Sequence, residues 1–453
     1  MSDKSERSAV FVPHMPPLAP DRISALGVLS RIRRNAFSAF PPRCHDEPVL
    51  RLRSPVRDVL IAAAPDAMRH VLAERPELYR RVAAGDRIFG ALIGRGLAAS
   101  DGEAWKRQRR ILAPAFTPRT VAMLAHHIIA CAEATCASLE LSRGTPIDLL
   151  SIMQLLSLDV ACTSMFSLEV GTFGPRLRDL LLSYAMGDGQ PRASDFLLPR
   201  WMPTPTTMRR SHFRVRWRSL ILEIIAQRRA GLPSGSPRDL FDLLSDAYGD
   251  EEESLLADEV STMIFAGHET TGLTLFWACY LLANAPEWRR AVRREAESVD
   301  LSPDGAGEAL TRLPATRAVV DEAMRLYPPA YMTARQAVVE HPLCGERVKR
   351  GAIVLMPFHM LHQNPRLWSS PERFDPGRFL GSSKPARFNY LPFGAGPRVC
   401  IGAQLATAEA VLILARLLLR NDVVLDNETP VFPVGSFATR PNRAPMFSLQ
   451  TPT

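Results

Sequence analysis

Read for the spacing of apolar and polar positions, the chain is dominated by a helical period, with two short alternating runs near its start. Val49 to Leu52 and Val56 to Ile61 read as strands, and a helix over 65–74 follows them. Helical patterns then recur over 103–140, 147–168, 174–187 and 206–230. The proline-studded stretch 191–205 and the turn 231–237 punctuate them. Between 330 and 395 the pattern changes to short strands and coil, with prolines at 342, 357, 365, 371, 376, 385 and 392. So long an irregular stretch needs something to organise it, and a cofactor lying behind it would do so.

The longest periodic run predicts a helix from Ser254 to Ala285, capped by Ser254 and followed by Pro286. Its apolar stripe passes through 256, 260, 263, 264, 275, 278, 281 and 282. At the usual rise per residue it spans about 48 Å, enough to cross a whole domain. Its centre reads Ala266-Gly267-His268-Glu269-Thr270-Thr271, poor material for the middle of a buried helix. Thr270 is expected to bond the carbonyl four residues back and bend the helix slightly. A local bulge there would make room for oxygen and water.

A second stretch carries chemistry outright. Phe393-Gly394-Ala395-Gly396-Pro397-Arg398-Val399-Cys400-Ile401-Gly402 sets one cysteine in a glycine-studded loop, directly ahead of an apolar helical pattern. Gly394, Gly396 and Gly402 are expected to take otherwise strained backbone angles and to let the loop approach a flat partner closely. A thiolate is a strong, soft ligand, and a tight loop offers backbone N–H groups to steady its charge. Arg398 adds a cation beside an anionic group. A single thiolate with no second cysteine or histidine nearby does not suit a zinc or iron–sulfur site. Haem needs only one such axial ligand from the protein.

The Cys400 loop resembles the haem-binding signature of the cytochromes P450 at every defining position. That resemblance implies a mainly α fold, a large helical domain with a small β-rich subdomain. Haem b would lie between the long central helix and the helix after the Cys400 loop, with Cys400 as the iron ligand. Phe393, Gly394 and Gly402 would belong to the cofactor site as well. The 266–271 segment is similar to the family's oxygen-activation motif. By that likeness Thr270 would hydrogen-bond the dioxygen and Glu269 would relay protons through water, while His268 falls on a variable position with no role.

Glu322 and Arg325 share a helix face, a spacing too common to mean anything alone. Here Leu326-Tyr327-Pro328-Pro329 follows, and later Phe374-Asp375-Pro376-Gly377-Arg378-Phe379. The resemblance joins Glu322, Arg325 and Arg378 in a buried charge network that locks the loop ahead of Cys400. It also assigns the haem propionates to Trp105 and Arg109, from a Trp-x-x-x-Arg pattern, and to Arg335 and Arg398. By family position the substrate pocket draws on 83–98, 182–202, Ala330 to Thr333 and the turn Gly435-Ser436-Phe437. Its candidates are Ile88, Phe89, Leu92, Ala266, Ala330 and Phe437, a set that suits a hydrophobic substrate.

Composition narrows the setting. The 453 residues, 46% of them hydrophobic, suffice for a large core, and length alone would suggest about three domains. The family resemblance instead implies one catalytic domain over 21–453 behind a flexible segment, 1–20. Cysteines at 44, 131, 136, 162, 279, 344 and 400 make no regular framework and include no CxxC, which fits a reducing, cytoplasmic setting. The net charge of +8 comes mostly from scattered arginines, so nucleic acid is not an expected partner. A docking face for an acidic redox protein is.

No signal core or integral membrane segment is evident at the polar, proline-rich start. Asp21 to Phe40, with Leu26, Leu29 and Ile32 beside Arg31, Arg33 and Arg34, reads as the first helix of the fold or as a basic surface helix on a membrane. The expected protein is a soluble, bacterial-type monomer. It would insert one oxygen atom of O2 into a fatty acid, terpene, steroid or aromatic, fed from NAD(P)H through a reductase and a ferredoxin or flavin partner. Two alternatives remain at this point. A peroxide-driven oxygenase normally lacks the acid–alcohol pair, and a non-catalytic haem sensor or carrier would not need it.

Overall fold

The computed structural model describes residues 11–451 apart from 55–56, 168–172, 193, 196–197, 199–201, 231–238, 250–251, 428 and 436. The predicted turn at 231–237, the first ten residues and Ser436 therefore lie outside the described residues. Residues 11–20 belong to the segment expected to be flexible, yet they run along the fold and are held there. The Phe11 carbonyl accepts from Phe374 N (3.1 Å), the Phe11 ring meets Tyr280 edge-on at 6.1 Å, and Ala19 N donates to the Phe40 carbonyl (3.1 Å).

Eleven short strands and a larger set of helices divide the described residues into two parts. The strands are β1 (Val49–Leu52), β2 (Val59–Ala62), β3 (Tyr79–Arg81), β4 (Thr333–Ala337), β5 (His341–Leu343), β6 (Glu346–Val348), β7 (Ile353–Met356), β8 (Asp422–Leu425), β9 (Pro433–Gly435), β10 (Thr439–Pro441) and β11 (Phe447–Gln450). Five of them form a sheet in the order β1-β2-β7-β4-β3, in which β2 and β7 run parallel and every other pair antiparallel. The rest form three two-stranded ribbons. Leu60, Val354, Met356 and Phe358 are buried in a core of their own beneath the sheet.

The larger core is helical and centres on one helix, Glu253–Ala283. That helix is buried almost all round because helix Leu149–Phe166 and others surround it. It does not start as the sequence suggested. Ser254 lies inside the first turn, and the capping residue is Glu252, whose carbonyl accepts from Leu255 N and Leu256 N. The backbone supplies the cap, so no hydroxyl is needed. Pro286 opens the next helix, Pro286–Glu297, at a position that tolerates its missing N–H. The expected bulge is absent too, and the helix runs as regular α-helix through 266–271.

Two helices, Pro118–Glu140 and Leu149–Phe166, are long and apolar enough to cross a membrane by length and composition. Two thirds of the second helix's apolar window is buried within the protein, which accounts for its composition.

Candidate active site

One large cavity, of 1080 Å³, lies between the sheet, the long helix and the Cys400 loop. Its floor is the loop. Gly394 and Gly396 have φ of +70° and +73°, the left-handed region that glycine adopts without strain. A side chain on Gly396 would also strike the Leu72 carbonyl, 1.7 Å from where its Cβ would stand. Gly402 is different. Its φ of −84° is ordinary and its Cβ would stand 3.8 Å from Phe116, so nothing in the protein's own packing demands glycine there. What remains is the face Gly402 turns to the cavity.

Cys400 N donates to the Phe393 carbonyl (3.0 Å), which turns the loop so that Cys400 lines the cavity. The cysteine is enclosed by protein, and burial pushes its thiol up, while the Gly402 N–H and the Arg109 charge pull it down. Its exposure is to the cavity. Arg109 donates to the Val399 carbonyl (2.8 Å), one residue before the cysteine. On helix Gly102–Leu112, Trp105 lies one turn before Arg109, and the Arg398 guanidinium stacks over its ring at 4.6 Å.

Arginines gather along the cavity's sheet side. Arg335 on β4 donates to Thr333 Oγ1 (3.0 Å) and to the Ala334 carbonyl (2.9 Å). Burial first, and then the charges of Arg398 and Arg81, push it down to about 10. Arg398 donates to the Ser100 carbonyl (3.0 Å) and is paired with Asp101. Arg81, which sequence reasoning missed, is the register partner of Arg335 across the β3–β4 pair and lines the same cavity. Like charges set opposite each other on adjacent strands are destabilising unless an anion joins them. That arrangement, above a loop that presents one thiol, fits a flat group with an iron ligand on one face and two carboxylates at its edge.

The roof is the middle of the long helix. Ala266, Gly267, Thr270 and Thr271 line the cavity, and Thr270 Oγ1 donates to the Ala266 carbonyl (2.7 Å), as its sequence position suggested. Glu269 is not on that face. Successive helical residues point about 100° apart, and Glu269 is directed behind the helix, where Gln154 Nε2 donates to its Oε2 (3.1 Å). Its Oε1 lies 2.6 Å from Arg440 Nη2, though the N–H does not point along that line as a well-formed hydrogen bond requires. Burial raises the Glu269 pKa, and Arg440 opposes the rise. Beside it His268 is buried with neither ring nitrogen partnered, and burial, Arg440 and Arg178 push it down to about 3.

The structure brings Glu322, Arg325 and Arg378 together. Arg325 donates to both Glu322 oxygens (2.6 and 2.8 Å) and to the carbonyls of His362, Pro371 and Arg373. Glu322 also accepts from Asp375 N (2.9 Å) and lies 3.5 Å from Arg378 Nε, and Arg378 holds the carbonyls of Ser369 and Ser370. This network gives the irregular stretch ahead of Cys400 its shape.

Of the six pocket candidates, Ile88, Phe89, Ala266, Ala330 and Phe437 line the cavity, and Phe89, Phe265 and Phe437 cluster with ring centroids 5.2–6.1 Å apart. Leu92 does not. It is buried in the helical core, because the helix Ala83–Ile93 has rolled that position toward its neighbours and away from the cavity. Charged residues that sequence reasoning missed also reach the cavity. Asp195 is paired with buried Arg210 at 2.7 Å, and Arg87 donates to the Ser194 carbonyl (3.0 Å), so ions fasten residues 194–195 beside the apolar wall. Glu409 is a further lining residue. It accepts from Ser157 Oγ (2.8 Å), and burial pushes it up to about 8. No sequence signal pointed to Arg81, Arg440 or Asp195, since their partners are distant in the chain or occur in no motif.

Among family models, one described as Cytochrome P450 matches residues 16–445. The chain is 33% identical over 387 residues to a cyclooctat-9-en-7-ol 5-monooxygenase of Streptomyces melanosporofaciens, covering 81% of this chain and 83% of that one. A cytokinin hydroxylase of Arabidopsis thaliana is 32% identical over 338 residues, covering 72% of this chain and 66% of that one. Among solved structures, the cytochrome P450DA heme domain superimposes with a TM-score of 0.79 over 98% of both chains, at 23% identity.

Proposed function

Because the chain belongs to the cytochrome P450 family, and so is a monooxygenase that carries haem b on a cysteine thiolate, we propose that it oxygenates a hydrophobic organic molecule. Fatty acids, terpenes, steroids and aromatics are the classes that suit the cavity. Electrons come from NAD(P)H through a reductase and a separate ferredoxin or flavin protein. The observation that carries this reading is the shared cavity: Cys400 on its floor, Thr270 on its roof, and Phe89 and Phe437 on its wall, with Phe265 packed against them.

When bound, the haem supplies the dioxygen chemistry that no side chain here can supply. The chain's own residues do the rest. Cys400 would ligate the iron, and the Gly402 N–H and Arg109 charge favour its thiolate form. Arg335, Arg398, Trp105 and Arg109, which line the cavity, would secure the propionates, and Arg81 would join them. The Thr270 hydroxyl holds a proton at the cavity face, within the small space that Ala266 and Gly267 leave. Glu269 stands behind it as the acid that resupplies Thr270. The phenyl rings seat the apolar substrate and keep bulk water from the site. Seven unpaired cysteines support a reducing, cytoplasmic setting for this chemistry.

The test is a ferric-haem absorbance titration of purified protein against that panel. A saturable spin-state shift identifies the substrate class. Absence of any haem spectrum, even after reconstitution, overturns the account. Turnover with an acidic ferredoxin should fall steeply as ionic strength rises, and a salt-independent rate would rule out a charge-steered partner.

A further inference from the structure

A second cavity, of 470 Å³, opens at one end of the five-stranded sheet. The parallel pairing of β2 with β7 puts it there. Val59 and Ile353 are register partners, so the residues leading into each strand, Arg57 and Asp58 on one side and 349–352 on the other, arrive at the same end. Ile353 N donates to the Asp58 carbonyl (2.9 Å) and joins the two. β4 runs antiparallel to β7 and sets Gln336 opposite Ile353, where Gln336 Nε2 donates to the Gly351 carbonyl (3.1 Å). The site needs neither Pro55 nor Val56, which lie outside the described residues.

The lining carries more cations than acids. Arg57, Lys349 and Arg350 border this cavity with one acid, Asp58. That acid is already engaged by Arg51 at 3.1 Å, with Lys349 further off at 3.7 Å. Arg57 and Arg350 have no ion-pair partner among the described residues. None of the arginines assigned to haem lines this cavity, so it is distinct from the propionate site. It is nonetheless continuous with the main cavity, because Ser54 and Arg57 line both. Beyond them the wall of the main cavity turns apolar, with Leu26 and Leu29 of the helix Ala25–Asn35 and then Val59 and Leu355. A cationic chamber therefore leads into an apolar one.

We propose that the second cavity receives the phosphate of an amphiphilic substrate whose apolar chain runs past Arg57 into the main cavity. This rests on the monooxygenase reading above and narrows its substrate class to apolar chains that end in a phosphate ester. A carboxylate is matched by one guanidinium, whereas a phosphate monoester carries about two negative charges and three acceptor oxygens. Three cations around a chamber of this size suit the larger and more highly charged group. The Arg57 fork and the Lys349 and Arg350 charges face the phosphate, while Asp58 stays with Arg51. The Ser54 hydroxyl accepts from Arg57 N (3.4 Å), which leaves its own proton to donate to a phosphate oxygen. Holding the charged end here directs oxygen insertion to a carbon remote from the phosphate, and the ester bond is untouched.

Calorimetric titration of the haem-loaded protein with dodecyl phosphate, dodecanoate and dodecanol tests this, since the three share a chain and differ in the end group. Dodecyl phosphate should bind about 10-fold more tightly than dodecanol, with dodecanoate between them. Added inorganic phosphate should weaken binding of dodecyl phosphate and leave dodecanol unchanged. The double substitution Arg57→Gln with Arg350→Gln should abolish the advantage of the phosphate while dodecanol binds as before, and both side chains are exposed, so the fold does not depend on them. Equal affinity for dodecyl phosphate and dodecanol overturns the proposal, as does failure of dodecyl phosphate to bind. A phosphate advantage that survives the double substitution overturns it too, and so does equal affinity for dodecyl phosphate and dodecanoate. The absorbance spectrum separates the two readings: a missing haem-thiolate spectrum defeats the monooxygenase reading, whereas an intact spectrum with no phosphate preference defeats this proposal alone.

Discussion

Glu322 and Glu269 are both buried carboxylates paired with arginine, and they have been finished to different degrees. Around Glu322 the Arg325 guanidinium uses every donor, on two carboxylate oxygens and three carbonyls, and the Asp375 N–H adds a further bond, so that only Arg378 Nε, 3.5 Å away, is left without a well-formed hydrogen bond. The Glu322 and Arg325 side chains are both fully buried. Around Glu269 the set is incomplete. One oxygen has Gln154, the other has a close but poorly directed cation, and His268 and the Thr271 hydroxyl lie unpartnered alongside. A saturated network has one arrangement and rigidifies what it touches, whereas an unsaturated one keeps a second arrangement within reach. The same two residue types therefore form a nearly complete network at one place and an incomplete one at the other.

Removing the acid from each pair gives the strongest contrast. Glu322→Ala strands a buried guanidinium, which should cost about 3–5 kcal/mol. The protein should then be recovered without haem, and normal haem loading would sink the lock assignment. Glu269→Gln should leave folding and haem content intact while lowering product formation by about 100-fold, with NAD(P)H oxidation diverted to peroxide. Equal loss of haem in both variants would erase the distinction between them.

A third buried acid sharpens the comparison, because Glu409 has Ser157 as its hydrogen-bond partner and no arginine. Its folded pKa of about 8 lies above the ordinary 4.5, so the native state keeps a proton that the unfolded chain releases. Stability should therefore be full below the lower value and decline as pH rises toward the upper one, by about 1.4 kcal/mol per pH unit at most. Glu409→Gln should remove that slope, and thermal melts with the same pH dependence as the parent would show that Glu409 ionises freely.

What was legible in the chain was contiguous. The Cys400 loop and the Ala266–Thr271 segment carry their chemistry within one turn or one helix, and the fold preserved both. The helical runs were legible because a core-facing stripe repeats locally. Leu92 was misplaced because periodicity says that a residue is buried and not which interior it faces. Gly402 was expected to take a strained angle, but a glycine can be required by what lies in front of it, with an ordinary φ. Arg440 and Arg81 escaped notice because each acquires meaning only from a residue far off in sequence, brought alongside by a hairpin or a strand pairing.

That strand pairing has a consequence for the edge of the sheet. β3 is three residues long and forms the outer edge of the five-stranded sheet, with Arg81 against Arg335. The charge of Asp101 acts on both arginines and that of Asp86 on Arg81, so the protein itself offsets part of their repulsion. Carboxylates bound at the cavity edge would offset the rest, and would thereby tie the last strand of the sheet to its neighbour.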